Sequence, residues 1–336
     1  MLAPLQMFIS MSLPASLALL LAALLGWLLS GQLGRLGLLD HPNERSSHKR
    51  STPRGGGLAF IIAALLVLPF GDGAGLATAS SIQVGFALLL IPLPLALIGL
   101  LDDRLGLPVG LRLIVQLLTA AGLAVVAGLP LPLALVALLP GVAVINAINF
   151  MDGLDGLVAS CLAIWVFLAA VLLELPGLGP LAAGLVGFLF WNWSPAKLFM
   201  GDVGSTYLGA VMAGGLLIAA EQFPPQVSLG LLLAGLPLLG DAFICLFRRM
   251  LAGQRLWLAH RLHLYQRLHQ AGWSHQRVAA LYMVTTAVLA GLALGMQELP
   301  QYVSFGLAAS SAVLTFALGY QLDRHVAVAF SVSPNH

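Results

Sequence analysis

The chain has 336 residues, of which 60% are hydrophobic and only 8% charged, and its formal net charge is +2. Its mean hydropathy is +0.98. One water-soluble core cannot hold so much apolar side chain at this length, so a soluble enzyme or binding module is excluded and an integral membrane protein is implied.

Punctuation by Gly, Pro and charge divides the sequence into about eleven helical spans, counted by the roughly 20-residue thickness of the hydrocarbon layer. In chain order they are expected at residues 8–30, 55–71, 81–101, 111–128, 131–150, 157–174, 180–194, 204–221, 228–247, 277–295 and 303–322. The first lacks a basic leader and a small-residue cleavage site, and so reads as a permanent helix. The fold class is therefore all-α and polytopic, with a single transmembrane domain over residues 1–336. No soluble domain, sustained heptad, internal repeat or nucleic-acid motif is visible. Cys161 and Cys245 fall inside spans with no metal-ligand spacing and read as apolar core residues.

Alternate loops must share a side of the membrane. Residues 31–54, 102–110, 151–156, 195–203, 248–276 and the tail from 323 fall together, and with the adjoining span ends they hold all 15 Lys and Arg and all 8 His. The positive-inside rule makes that side cytoplasmic, placing the N-terminus outside and the C-terminus inside.

Three acidic clusters fall on the same side: Leu101-Asp102-Asp103-Arg104, Asn149-Phe150-Met151-Asp152-Gly153-Leu154-Asp155-Gly156, and Met200-Gly201-Asp202-Val203-Gly204-Ser205. Ionised side chains are expensive in so apolar a chain, and clustered ones point to a functional site. An Asp-rich, oxygen-only set suits Mg²⁺, or Mn²⁺, rather than zinc. Asp102 and Asp103 project about 100° apart on a helix and so serve different tasks, whereas Asp152 and Asp155 share a face if the next helix begins there. Asn146 and Asn149 share a helix face that leads to Asp152, with interhelical hydrogen bonding as the other reading. The basic loops 41–54 and 248–276, which carry Lys49, His260 and His263, offer positive charge to a phosphate-bearing substrate or to anionic membrane lipid.

The order and spacing of the motifs, Asp102-Asp103, then Asn146-Ala147-Ile148-Asn149-Phe150-Met151-Asp152-Gly153-Leu154-Asp155-Gly156-Leu157, then Phe199-Met200-Gly201-Asp202-Val203-Gly204-Ser205, then a His-containing last long loop, resemble the polyprenyl-phosphate N-acetylhexosamine-1-phosphate transferases. This family includes the MraY translocase and the WecA-type initiators of O-antigen synthesis. The resemblance covers nearly the whole chain. It implies transfer of a sugar 1-phosphate from a UDP-N-acetylhexosamine to undecaprenyl phosphate, with release of UMP, at the cytoplasmic face of the bacterial inner membrane and with Mg²⁺. It implies Asp202 as the metal ligand, Asp102 and Asp103 beside the reacting phosphates, Asn146 and Asp152 at the catalytic centre, and Gly153, Leu154 and Asp155, with Asn149 nearby, as the uracil segment. Phe199 would stack on the base, and His260, His263 and Lys49 would contact phosphate. A homodimer is compatible with it.

The last loop reads His260-Arg261-Leu262-His263 where the family's best-known members carry denser histidine runs, and Gly106 stands where the translocase has a Lys. The segments Pro42-Asn43-Glu44-Arg45-Ser46-Ser47-His48-Lys49-Arg50 and Tyr265-Gln266-Arg267-Leu268 look most like the WbpL subgroup, associated with GlcNAc and with 6-deoxy sugars such as N-acetylfucosamine or N-acetylquinovosamine. The competing class is an ion-coupled transporter, whose ionisable groups belong near the bilayer midplane.

Overall fold

The structure, a computed structural model, describes residues 2–40, 42, 51–70, 79–254 and 261–332. It is helical almost throughout. The helices are α1 (Leu2–Gln32), α2 (Gly57–Val67), α3 (Ala79–Leu90), α4 (Leu93–Leu105), α5 (Val109–Ala127), α6 (Leu131–Met151), α7 (Leu157–Leu172), α8 (Gly179–Asn192), α9 (Asp202–Gln222), α10 (Pro225–Leu251), α11 (Leu264–Gln270), α12 (His275–Gly295) and α13 (Gln301–Val332). A two-residue antiparallel ladder, β1 (Leu39–Asp40) with β2 (Thr52–Pro53), is the only sheet among the described residues.

A helix stands at each expected span. Eight helical stretches among the described residues are long and apolar enough to cross a membrane, while α2 and α7 are shorter apolar helices. The chain is a multi-pass membrane protein.

Three boundaries near the acidic motifs differ from the sequence reading, and α1, α10 and α13 run longer than the spans expected there. Span 81–101 is broken at Ile91–Pro92, where the proline ring removes a helical N–H donor, and it then continues as α4 to Leu105. Asp102 and Asp103 therefore occupy a last helical turn and not a loop, with Gly106 in the left-handed conformation ending it. Helix α9 starts at Asp202, and the long last loop contains α11.

Helix α9 is the axis of the bundle. It packs against α2, α4, α5, α6 and α10, and 83% of its most apolar window is buried, against 11% for α13 at the rim. Small residues let neighbours approach it: a Cβ on Gly57 would lie 2.4 Å from the Cα of Gly204, so α2 and α9 touch backbone to backbone. The polar tips of the large buried rings are satisfied, with Tyr207 donating to the Leu89 carbonyl (2.9 Å) and Trp165 to the Leu231 carbonyl (2.9 Å).

Hydrogen bonds sort the connections into two ends. At one, the Phe199 N–H donates to Pro53 O, the Gly56 and Gly57 N–H groups donate to the Phe199 and Met200 carbonyls, and Gln276 Nε2 donates to Ser194 O. At the other, Gln222 reaches Ala127 O (2.9 Å) and Gln297 reaches Gln226 O (3.4 Å). Every acidic motif lies at the first end.

Candidate active site

A cavity of about 170 Å³ opens at that end, lined by Asp40, Arg54, Asp103, Asp152, Gly153, Leu154, Asp155, Asn192, Phe199, Met200, Gly201, Asp202 and His275. Four segments supply its acids: Asp40 from β1, and Asp103, the Asp152–Asp155 turn and Asp202, about fifty residues apart from one another. Seven residues expected from the sequence line it: Asp103, Asp152, Gly153, Leu154, Asp155, Phe199 and Asp202.

The wall containing Asp202 is built by strand-like pairing. Residues 53–57 run beside 199–200, with a parallel bridge between Arg54 and Phe199. This carries the Arg54 guanidinium to Asp103, whose carbonyl accepts from Nη2 and whose Oδ1 lies 3.6 Å from Nη1. The other oxygen of Asp103 accepts the Asp202 N–H at 3.0 Å, so a side chain from α4 caps the first turn of α9. A Cβ on Gly201 would stand 2.4 Å from that oxygen, which is why only glycine fits there.

Asp102 turns the other way, as the 100° offset requires. It accepts from the Leu107 N–H (2.6 Å) and from Arg112 Nη1, and the same nitrogen lies 3.8 Å from Asp202 Oδ2. Asp102 thus stands behind the cavity, joined to Asp202 through a shared arginine.

Asp152 and Asp155 are brought together by a turn over 152–156 rather than by a helix, since α7 begins only at Leu157. Desolvation, followed by the negative charges of Asp202, Asp103 and Asp155, pushes the Asp152 carboxyl up to about 8. Asp155 shifts the opposite way. Burial raises it, but His275 (Nδ1 to Oδ2, 3.2 Å), the Ala196 N–H (3.1 Å) and Ser194 outweigh burial and hold it below the usual carboxylate range.

The remaining expected residues lie elsewhere. Asn146 is exchanged with Gln116 of α5 across two hydrogen bonds (3.2 and 2.9 Å), and Asn149 accepts from Ser205 of α9 (2.5 Å), so both serve interhelical contacts in this structure. Neither lines the cavity. His263 is buried with Nδ1 3.6 Å from Asp241 Oδ1 and its ring stacked on Tyr265. Burial lowers its basicity, but Asp241 and Cys245 outweigh that and lift the imidazole to about 9. A carboxylate on α10 has drawn it inward. Lys49 and His260 lie outside the described residues.

Several cavity residues escaped the sequence reading. Asn192 accepts the Gly156 N–H (3.1 Å) and donates to Leu198 O (3.0 Å), tying two cavity walls together. Neither it nor Asp40 carried a sequence signal. Arg54 and His275 stood out only as members of basic loops offered to phosphate, not as individual site residues; outside the cavity, Asp241 could have been found by the rule that flagged the other acids, as an isolated carboxylate in an apolar span.

Among the described residues no three His, Cys, Asp or Glu side chains are grouped so as to hold a metal unaided. The carboxylate oxygens of Asp103, Asp152 and Asp202 at the cavity are of the hard donor type that Mg²⁺ takes, one or two at a time, with water and substrate phosphate completing its shell. Burial first, and then the neighbouring negative charges, raise Asp152, and a dication held by these carboxylate oxygens would offset that charge.

The sequence profile described as Glycosyl transferase family 4 matches residues 85–220, which include all three acidic motifs. The chain is 31% identical over 323 aligned residues to the decaprenyl-phosphate N-acetylglucosaminephosphotransferase of Mycobacterium leprae, covering 81% of each chain. It is 33% identical over 315 residues to a phospho-N-acetylmuramoyl-pentapeptide-transferase of Synechococcus sp., covering 83% of this chain and 90% of the relative. The chain belongs to the polyprenyl-phosphate N-acetylhexosamine-1-phosphate transferase family. The probable undecaprenyl-phosphate N-acetylglucosaminyl 1-phosphate transferase of Bacillus subtilis, 28% identical over 278 residues, aligns with 74% of this chain and 75% of its own. Like other members of the glycosyl transferase 4 family, this one is a membrane-embedded transferase, and its acidic cavity lies at the end of the bundle where the family motifs converge.

Proposed function

We propose that this transferase moves an N-acetylhexosamine 1-phosphate from a UDP-sugar to undecaprenyl phosphate at the cytoplasmic face of a bacterial inner membrane, as the first step of an O-antigen or related surface polysaccharide. The observation that carries the reading is the convergence of Asp103, Asp152 and Asp202 on one cavity flanked by Arg54, with Arg112 behind it. Two anionic phosphates must meet for this reaction, and fixed positive groups offset their repulsion.

An oxygen of the lipid phosphate attacks the phosphorus attached to the sugar. A new P–O–P bond forms, the bond to the uridine-side phosphate breaks, and UMP leaves with the bonding electron pair. Asp202 would hold Mg²⁺, together with a second cavity carboxylate and substrate oxygens, and the ion supplies charge neutralisation between the phosphates. Asp103 faces the cavity while Asp102 is bound to Arg112, so Asp103 is the member of the pair placed to take a proton from the acceptor phosphate. Arg54 would orient phosphate oxygens, while Arg112 behind the cavity holds Asp102 beside Asp202. The segment Gly153-Leu154-Asp155 and Phe199 line one cavity and would receive the uracil, with Asp155 held in place by His275. A second recess of about 480 Å³ among α10, α12 and α13, mostly apolar but with Asp241, Arg248 and Asp323 in its lining, has the character that an isoprenoid chain with an anionic head needs. The gathering of acids at one end of the bundle, rather than at mid-membrane, speaks for a transferase over an ion-coupled transporter.

The testing experiment is a panel of UDP-GlcNAc, UDP-N-acetylfucosamine and UDP-N-acetylquinovosamine with undecaprenyl phosphate and Mg²⁺, scored by UMP and lipid-linked sugar. At least one should turn over, and none doing so would refute the reading. For the orientation, a cysteine replacing Arg50 should be shielded from an impermeant reagent applied outside intact cells; efficient labelling would invert the topology.

A further inference from the structure

Asp241 interrupts the apolar helix α10 ten residues before its last residue, Leu251, or about 15 Å along the helix at 1.5 Å per residue. Its side chain is 5% exposed. A carboxylate at that depth needs partners, and it has them in abundance. It accepts the N–H groups of Leu264 (2.8 Å) and Tyr265 (3.1 Å) and the Tyr282 hydroxyl (2.7 Å), with His263 Nδ1 at 3.6 Å. Leu264 and Tyr265 open α11, and such first-turn N–H groups have no partner inside their own helix. One carboxylate thereby pins the last long loop to the flank of α10.

From there a second contact leads to the cavity. Tyr265 is 1% exposed, and its hydroxyl donates to the Phe150 carbonyl in the last turn of α6 (3.0 Å). A Cβ on Gly153 would lie 2.3 Å from the same hydroxyl oxygen. The turn that carries Asp152 and Asp155 therefore rests on the tip of Tyr265. Neither Asp241 nor Tyr265 lines the acidic cavity, although Asp241 also borders the apolar recess beside α10, which Tyr265 does not.

We propose that Asp241 and Tyr265 are positioning residues for the transfer reaction: Asp241 fixes α11, α11 fixes Tyr265, and Tyr265 sets the height of the 152–155 turn against the cavity. This rests on the function proposed above, since the turn is taken to receive the nucleotide. The linkage itself is a property of the fold and can be read without turnover.

The test uses the full chain in detergent or nanodiscs, with Tyr265→Phe, Asp241→Asn and the double variant. Hydrogen exchange over residues 150–157, thermal unfolding, and KM and kcat for UMP release from the UDP-sugar are measured on each. Tyr265→Phe removes one hydrogen bond and should speed exchange over 150–157 and raise KM for the UDP-sugar about fivefold, with kcat within about twofold and Tm nearly unmoved. Asp241→Asn should act in the same direction, and the double variant should be no worse than Asp241→Asn alone, because both act through one contact. Unchanged exchange and KM in Tyr265→Phe would overturn the proposal, as would a fall in kcat that tracks Tm, or effects of the two variants that multiply. Should Asp241→Asn fail to fold, Tyr265→Phe decides alone. If the wild-type chain releases no UMP from any UDP-N-acetylhexosamine, the function reading fails by itself; faster exchange over 150–157 in the variants then still upholds the linkage, and unchanged exchange overturns it.

Discussion

The acidic cavity and the Asp241 anchor treat buried carboxylates in opposite ways. At Asp241 one carboxylate meets two N–H donors and a hydroxyl, with an imidazole beside it. In the cavity Asp103, Asp152 and Asp202 face one another with Arg54 beside them and Arg112 behind, so negative charge exceeds the donors supplied by the protein. A saturated carboxylate fixes structure. An under-compensated cluster awaits a cation and phosphates, and its excess charge is available for chemistry.

The largest break in that comparison should come from Asp202→Ala. If the cavity charge serves catalysis, UMP release should fall by about 10²- to 10³-fold or more, with thermal unfolding in detergent near the wild-type value. Retained Mg²⁺-dependent turnover would remove Asp202 from the metal. Next, Gly57→Leu should separate α2 from α9, where no side chain fits, and destabilise the bundle by about 1–3 kcal/mol, read as a lower Tm with activity lost in proportion to folded protein.

The paired amides Asn146 and Gln116 offer a neutral counterpart to the anchor. Replacing either with alanine should cost a similar, smaller amount, about 1 kcal/mol in thermal unfolding, because each leaves the other without its partner across α5 and α6. A much larger loss of turnover for Asn146→Ala alone would instead place that side chain on substrate.

The smallest effect concerns pH, where the anchor and the cavity wall should diverge. His263 is lifted from 6.5 to about 9, so its contribution is full below pH 6.5 and is lost as pH rises through about 9. Asp155 is lowered from 3.8, so its contribution is present above pH 3.8 and is lost only as pH falls through its folded value. Hydrogen exchange should therefore show residues 261–270 loosening on the alkaline side, while the 194–196 segment beside Asp155 holds there and loosens in acid.

Much of the molecule was written locally. Hydrophobic run length placed a helix at every expected span, and the expense of charge in an apolar chain singled out Asp102, Asp103, Asp152, Asp155 and Asp202. The misread boundaries have local causes as well: Pro92 splits a span, and Gly106 delays the end of α4 past the aspartate pair. The same rule of expense would have reached Asp241, which stood outside any motif.

What the sequence alone determined is therefore the membrane class, the order of spans and the identity of the costly charges, because each follows from burial of neighbouring residues in a helix. Only the tertiary structure decided which charges meet: Asp103 with the Asp202 amide 99 positions on, Asp155 with His275 at 120, Tyr265 with Phe150 at 115. Those contacts depend on how α4 and α6 pack on α9 and how α12 packs on α7 and α10, and helix packing is set by side-chain shape across distant segments, which no local pattern of hydrophobicity or charge encodes.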